Sequence, residues 1–156
     1  MDLISVLQQK PQAVAQIRGS KAYPQIRGQV RFYQTRRGVV VRAEVTGLPA
    51  YQDACKKGIF GFHIHEGSRC SGSVGDPFTD VLAHFGLYDC IHPYHSGDLP
   101  PLFGNNGYAF SVFLTDRFAV RDILGRTVII HGDADDFTTQ PSGDAGQKIA
   151  CGEIRA

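Results

Sequence analysis

Apolar residues recur at every second position through much of this chain, and that period dictates its elements. Ile26, Val30 and Phe32 fall on one side of the stretch from Gln25 to Phe32, with Arg27, Gln29 and Arg31 on the other. Val39, Val41, Ala43 and Val45 share one face of the next run, which ends at Gly47-Leu48-Pro49. Side chains alternate across a strand, so each run reads as a half-buried β-strand. Thr35-Arg36-Arg37-Gly38 lies between them and predicts an antiparallel hairpin. Strand-like stretches also cover about 13–18, 59–66, 108–115, 126–131 and 148–154, with a weaker one near 117–121. Only residues about 2–9 suggest a helix. Seven or eight short strands separated by turn signals predict an all-β sandwich or barrel.

One long segment departs from the alternation. Residues 67–107 are rich in Gly, Pro, Asp, Ser and His and show little strand periodicity, and residues 132–147 share that character. A structureless loop longer than about 12–15 residues is uncommon in a compact domain unless function or a cross-link orders it. Both loops therefore call for something that pins them.

Composition narrows the setting. At 156 residues the chain suits one domain with a substantial core. Sixteen basic residues against fifteen acidic ones leave a net charge of +1, which gives no reason to expect nucleic acid or an anionic membrane as partner. No apolar run approaches the roughly 20 residues of a membrane span. The start, Met1-Asp2-Leu3-Ile4-Ser5, lacks the basic region and apolar stretch of a secretory signal. The expectation is a cytoplasmic protein, or an exported one whose leader was removed.

All six histidines fall in or beside the two irregular loops. His63-Ile64-His65 lies on an apolar strand, where period two puts both imidazoles on one face within reach of one ion. Two surface histidines on a half-exposed strand would look the same. His84 and the run His92-Pro93-Tyr94-His95-Ser96-Gly97-Asp98 offer three imidazoles and a carboxylate, a donor set suited to zinc. Metal binding there would also supply the ordering device that the long loop needs. His131 ends an apolar strand and is uninformative alone. Four cysteines, Cys55, Cys70, Cys90 and Cys151, form an even set with no CxxC spacing, leaving two disulfides or four buried thiols. Disulfides favour an oxidising compartment, which sits awkwardly beside the missing signal.

Taken in order, five motifs become specific. Gly61-Phe62-His63-Ile64-His65-Glu66-Gly67, His84-Phe85, His92 through Asp98, Ile130-His131 through Asp135-Asp136, and Gly143 through Cys151-Gly152 resemble the signatures of copper–zinc superoxide dismutases, the bacterial branch most closely. The resemblance covers about residues 13–154. It implies a flattened eight-stranded Greek-key β-barrel with long metal-binding and electrostatic-type loops, one such domain over 1–156, and residues 1–11 as an N-terminal extension. It implies copper on His63, His65, His84 and His131, and zinc on His84, His92, His95 and Asp98, with His84 as the imidazolate bridge.

The same resemblance gives Asp135 the part of a carboxylate joining His63 to His92, and pairs Cys70 with Cys151. Cys55 and Cys90 would form a second bridge, or else stay as two buried thiols. Lys148 stands where the family has an anion-guiding arginine; the charge survives, but the planar fork is lost. It would draw superoxide in, or be simply a solvated strand residue. Gly86 replaces an asparagine frequent in the family. The implied activity is disproportionation of superoxide, the small-molecule substrate, to oxygen and hydrogen peroxide, with His84 and Lys148 taking part. The alternative is a non-enzymatic barrel that stores or buffers copper and zinc. A zinc hydrolase would need an open zinc position, which four protein ligands would close. Dimers and monomers both occur in the family, so a homodimer is compatible with the sequence.

Overall fold

The hairpin forms in the register that the alternation requires. In the computed structural model, which describes every residue except 52–54, 56–57 and 87–89, β2 (Arg27–Thr35) pairs with β3 (Gly38–Thr46) from Arg27 opposite Thr46 to Thr35 opposite Gly38. Gly38 closes the turn at φ +128°, a conformation that L side chains resist. Val30, Phe32, Val41, Ala43 and Val45 all point inward and are fully buried.

Around this hairpin the described chain builds a seven-stranded curled sheet. With β1 (Ala13–Gly19), β4 (Ile59–Phe60), β5 (Phe62–His65), β6 (Leu102–Phe103), β7 (Ala109–Thr115), β8 (Thr127–His131) and β9 (Lys148–Arg155), the order is β5-β8-β9-β1-β2-β3-β7. All its pairings are antiparallel. The last strand sits between the first and β8, so the chain crosses over rather than meandering. A small β4–β6 sheet lies beside it, with β6 against β7 and β4 running into β5. The fold is all-β, a seven-stranded half-barrel with a small two-stranded sheet beside it, consistent with the β-barrel that the resemblance implies.

Two local outcomes differ from the alternation reading. The stretch 59–66 is not one strand: Gly61 leaves the ladder, its amide donating to Asp133 O at 2.8 Å and its carbonyl accepting from His131 N at 2.8 Å. The stretch near 117–121 is not a strand either. It leads into a helical turn, α2 (Val120–Ile123), because Val120 and Ile123 bury three residues apart and Asp122 caps the Ala119 amide at 2.9 Å. The N-terminal helix α1 (Leu3–Leu7) forms within the suggested span, capped by Asp2, but buries none of its residues.

The core is continuous across the curl. Ile17, Phe60, Phe62, Ile64, Val128, Ile130 and Ile149 join the hairpin residues within it. A second, smaller cluster of Phe78, Val81, Ile129 and Cys151 lies apart from that core, with Cys70 packed against it. There the long loop folds back over β8 and β9, and the Cys70–Cys151 disulfide secures it. Among the described residues no helix is long and apolar enough to cross a membrane.

Candidate metal centre

Strand β5 sets the first two imidazoles. Phe62 and Ile64 occupy the core face, so His63 and His65 project from the other, and both are buried. β8 runs antiparallel to β5, with His63 opposite Ile129 and His65 opposite Thr127. His131 therefore lies diagonally from His63, and a register irregularity at Ile130/His131 accompanies its turn toward the pair. The His63 and His131 ring centroids are 4.8 Å apart.

The long loop then comes back along β5 as an improvised edge strand. His84 bridges to His65, and Asp98 bridges to His63. Ile64 N donates to Gly97 O at 2.9 Å, and Phe85 N donates to Ile64 O at 2.8 Å. The backbone of β5 thus places both its own histidines and the loop's donors. His92 and His95 follow, each nearly fully buried, with rings 5.6 Å from His84.

Two groups of four donors result: His63, His65, His84 and His131, and His84, His92, His95 and Asp98, with the donor atoms in each within 4.8 Å of one another. His84 belongs to both. Every imidazole has one ring nitrogen engaged with protein. His63 Nε2 and His92 Nε2 reach the two oxygens of Asp135 at 2.7 and 2.8 Å. His65 Nδ1 donates to Leu82 O at 2.8 Å, His95 Nε2 to Cys90 O at 3.0 Å, and His131 Nδ1 to Gly146 O at 3.1 Å. His84 Nδ1 meets Asp98 Oδ1 at 2.7 Å.

The other nitrogens carry the decisive observation. His63 Nδ1, His65 Nε2, His84 Nε2, His92 Nδ1, His95 Nδ1 and His131 Nε2 are buried and have no hydrogen-bond partner. A buried polar atom without a partner is costly, typically about 1–3 kcal/mol. Six such atoms facing one another instead fit a set of lone pairs shaped for cations. In the second group, His92 Nδ1 and His95 Nδ1 approach Asp98 Oδ2 at 3.1 and 3.0 Å without hydrogen-bonding to it. The residues present fit copper and zinc, both of which accept imidazole nitrogen, with carboxylate oxygen suiting zinc.

Electrostatics keeps these lone pairs available. Burial lowers the pKa of His63, lowers that of His65 strongly, and takes His131 to about 3 with help from the neighbouring His63. Asp135 goes the other way for a carboxyl in such a place. Burial would raise it, but hydrogen bonds from His63, His92 and Phe137 N outweigh that and hold it at about 2. It is an anion fixed between two rings.

A family profile for copper/zinc superoxide dismutase (SODC) matches residues 26–154. The chain belongs to that family. Among its similar relatives are Cu-Zn superoxide dismutases of Deinococcus radiodurans, 32% identical over 151 residues, and of Legionella pneumophila, 34% identical over 137 residues. These matches span 84% and 82% of this chain, and 78% and 77% of the relatives. A third, from Photobacterium leiognathi, is 33% identical over 143 residues, spanning 82% of this chain and 78% of the relative.

The remaining expected residues sit around the dismutase-type centre. Cys70 and Cys151 are joined. Cys55 and Cys90 are both exposed, so they are not a pair of buried thiols. Lys148 opens β9 directly opposite His131 and pairs through Nζ with Asp76 Oδ2. Gly86 adopts φ +82°, and a Cβ there would meet Ser96 Cβ and Oγ at 2.7 Å, so in this chain the position suits glycine.

Sequence reasoning missed three supports. Arg117 Nη1 donates to the carbonyls of Pro93, His95 and Asp98 at 2.9, 3.2 and 3.1 Å, gathering the loop that carries the second group. Gln140 clasps the backbone of His92 both ways, accepting from its amide at 2.9 Å and donating to its carbonyl at 2.8 Å. Gly143, at φ +71°, lies where a Cβ would meet Asp135 Oδ1 at 2.0 Å and His92 Nε2 at 2.6 Å. Backbone targets leave no motif, so only Gly143, inside a quoted signature, carried any signal.

Proposed function

We propose that this protein is a superoxide dismutase, disproportionating two superoxide anions and two protons into oxygen and hydrogen peroxide. The observation that carries this is the six orphaned ring nitrogens grouped about His84, in a chain of this family. His63 through Nδ1, and His65, His84 and His131 through Nε2, would hold copper. His84, His92 and His95 through Nδ1, with Asp98, would hold zinc. Bound copper supplies alternating one-electron oxidation and reduction of superoxide, while zinc supplies fixed positive charge without redox chemistry.

The protein's own part is to orient and to move one proton. His84 presents Nε2 toward the first group while Nδ1 stays on the Asp98 side, so Nε2 can take up a proton and deliver it to the substrate without the ring leaving its place. Asp135 fixes His63 and His92 in one tautomer each, keeping their free nitrogens turned to the ions. Burial of all six rings excludes water from the ligand atoms. Lys148 lies opposite His131, beside the first group, with its ammonium paired to Asp76.

Loading the protein with copper and zinc and measuring dismutation against a metal-free control tests this reading, with His131→Ala as the paired variant. Activity well above free-ion background, lost in His131→Ala, is the expected result. Tight binding of both metals without activity would make the chain a storage or buffering barrel instead.

A further inference from the structure

Lys148 is not a free cation. Its Nζ donates to Asp76 Oδ2, and the two side chains are only 20% and 39% exposed. Asp76 belongs to the long loop, in the segment Ser73-Val74-Gly75-Asp76-Pro77, and is held there independently of the lysine. Phe78 N donates to Asp76 Oδ1 at 3.0 Å, and the Asp76 carbonyl accepts from Ser73 N at 2.8 Å. That segment is tied to β9 by the Cys70–Cys151 disulfide, with Cys151 three residues beyond Lys148. A rigid carboxylate therefore faces a flexible four-carbon cation. Lys148 also lines a cavity of about 690 Å³, with Lys21, Ser73, Gly75 and Gln147, into which its ammonium could swing if released.

We propose that Asp76 is a positioning residue that holds Lys148 back, tethering its ammonium to the long loop and cancelling its charge toward anions arriving at the His131 side of the first group. This rests on the reading of that group as the copper site that superoxide approaches. A lysine, unlike the family's arginine, has no planar fork with which to hold a carboxylate and an anion side by side. Its charge is compact, so an ammonium engaged by Asp76 is largely spent there. The pair makes the approach locally neutral where a lone lysine would make it positive, and small-anion capture depends on that local field.

The probe is azide, a small anion, titrated into the Cu(II)-loaded protein and followed by its charge-transfer absorption. Asp76→Asn removes the charge but keeps an oxygen for the Phe78 amide, so the loop turn survives. Asp76→Ser, whose hydroxyl can serve the same amide, is the second variant. At low ionic strength, freeing Lys148 should tighten azide binding by about threefold, the effect of one unit charge several ångströms away through water-like solvent. The gain should shrink toward none at roughly 1 M salt, where the screening length is about 3 Å. In a Lys148→Gln background the same Asp76 substitutions should gain clearly less.

Equal gains in the two backgrounds would mean that Asp76 acts only as one more negative charge, and would overturn the tether. Unchanged or weakened azide binding in both Asp76 variants would overturn it as well. Dismutase activity, measured on the same loaded protein, separates this outcome from the functional reading. A loaded protein that gains azide affinity but never dismutates superoxide keeps the tether and loses the proposed activity.

Discussion

Gly143 is the residue on which the Asp135 clamp depends, because nothing larger fits between that carboxylate and His92. A Gly143→Ala variant puts a methyl group 2.0 Å from Asp135 Oδ1 at a backbone angle that alanine resists, so the clamp must open on the His92 side. Outer contacts of this kind typically alter metal affinity by about 10–100-fold. Gly143→Ala should therefore weaken zinc binding within that range, read by competition with a chromophoric chelator. A folded variant with unchanged zinc affinity would show that Asp135 does not steer His92. Asp135→Ala should weaken both metals, since the carboxylate touches a ring of each group. At this scale much was legible. Period two alone put His63 and His65 on one face, whereas assigning His84 to both groups needed the family resemblance. Gln140 and Arg117 were illegible, because they act on backbone carbonyls and amides whose positions exist only once the loop is folded.

The elements show a similar division. Alternation located the hairpin because its strands have one face in the core, and β8 showed as an apolar run buried throughout, but neither signal could see Gly61 interrupting 59–66, where the chain turns aside to pair with residues 131 and 133. The same blindness made 117–121 look like a strand, since buried Phe118 and Val120 stand two apart as in a strand although Val120 already opens a turn of helix. The irregular loops are held by contacts rather than by period, and two predictions follow from those contacts. Arg117→Ala removes three hydrogen bonds to loop carbonyls and should raise the zinc dissociation rate severalfold while leaving the sheet intact, measured by chelator chase and circular dichroism. Unchanged release would mean that the loop is held without it. Breaking the Cys70–Cys151 link, which spans 81 residues, by a double Cys→Ser substitution should destabilise the fold by about 2–5 kcal/mol in denaturant titration. A loss below about 1 kcal/mol would show that packing of Phe78 and Val81 alone secures the loop.

For the molecule as a whole, the centre is also an acid sensitivity. His131 titrates near 6.5 when unfolded but at about 3 when folded, so between those values the unfolded chain holds the extra proton and stability falls as pH drops. His63 and His65 are shifted in the same direction by burial. Asp135 adds a loss lower down, since its stabilisation is full above about pH 3.8 and fades as pH falls toward 2. The metal-free protein should lose stability steadily below pH 6.5, each such ring contributing up to about 1.4 kcal/mol per pH unit. Denaturation midpoints of the metal-free form that stay level from pH 7 to pH 4 would contradict this. Metal-loaded protein should resist over the same range until protons displace the ions.

His84 and Asp135 each reach into both quartets, and that shared hardware has a thermodynamic corollary. Whichever ion enters first aligns a ring and a carboxylate that the second ion also requires, so the second finds part of its ordering already done. Linkage is reciprocal: stripping zinc with a selective chelator must loosen copper by the same factor by which copper tightens zinc. The two cations would thus behave as mutual effectors, and half-loaded molecules should be scarce at equilibrium.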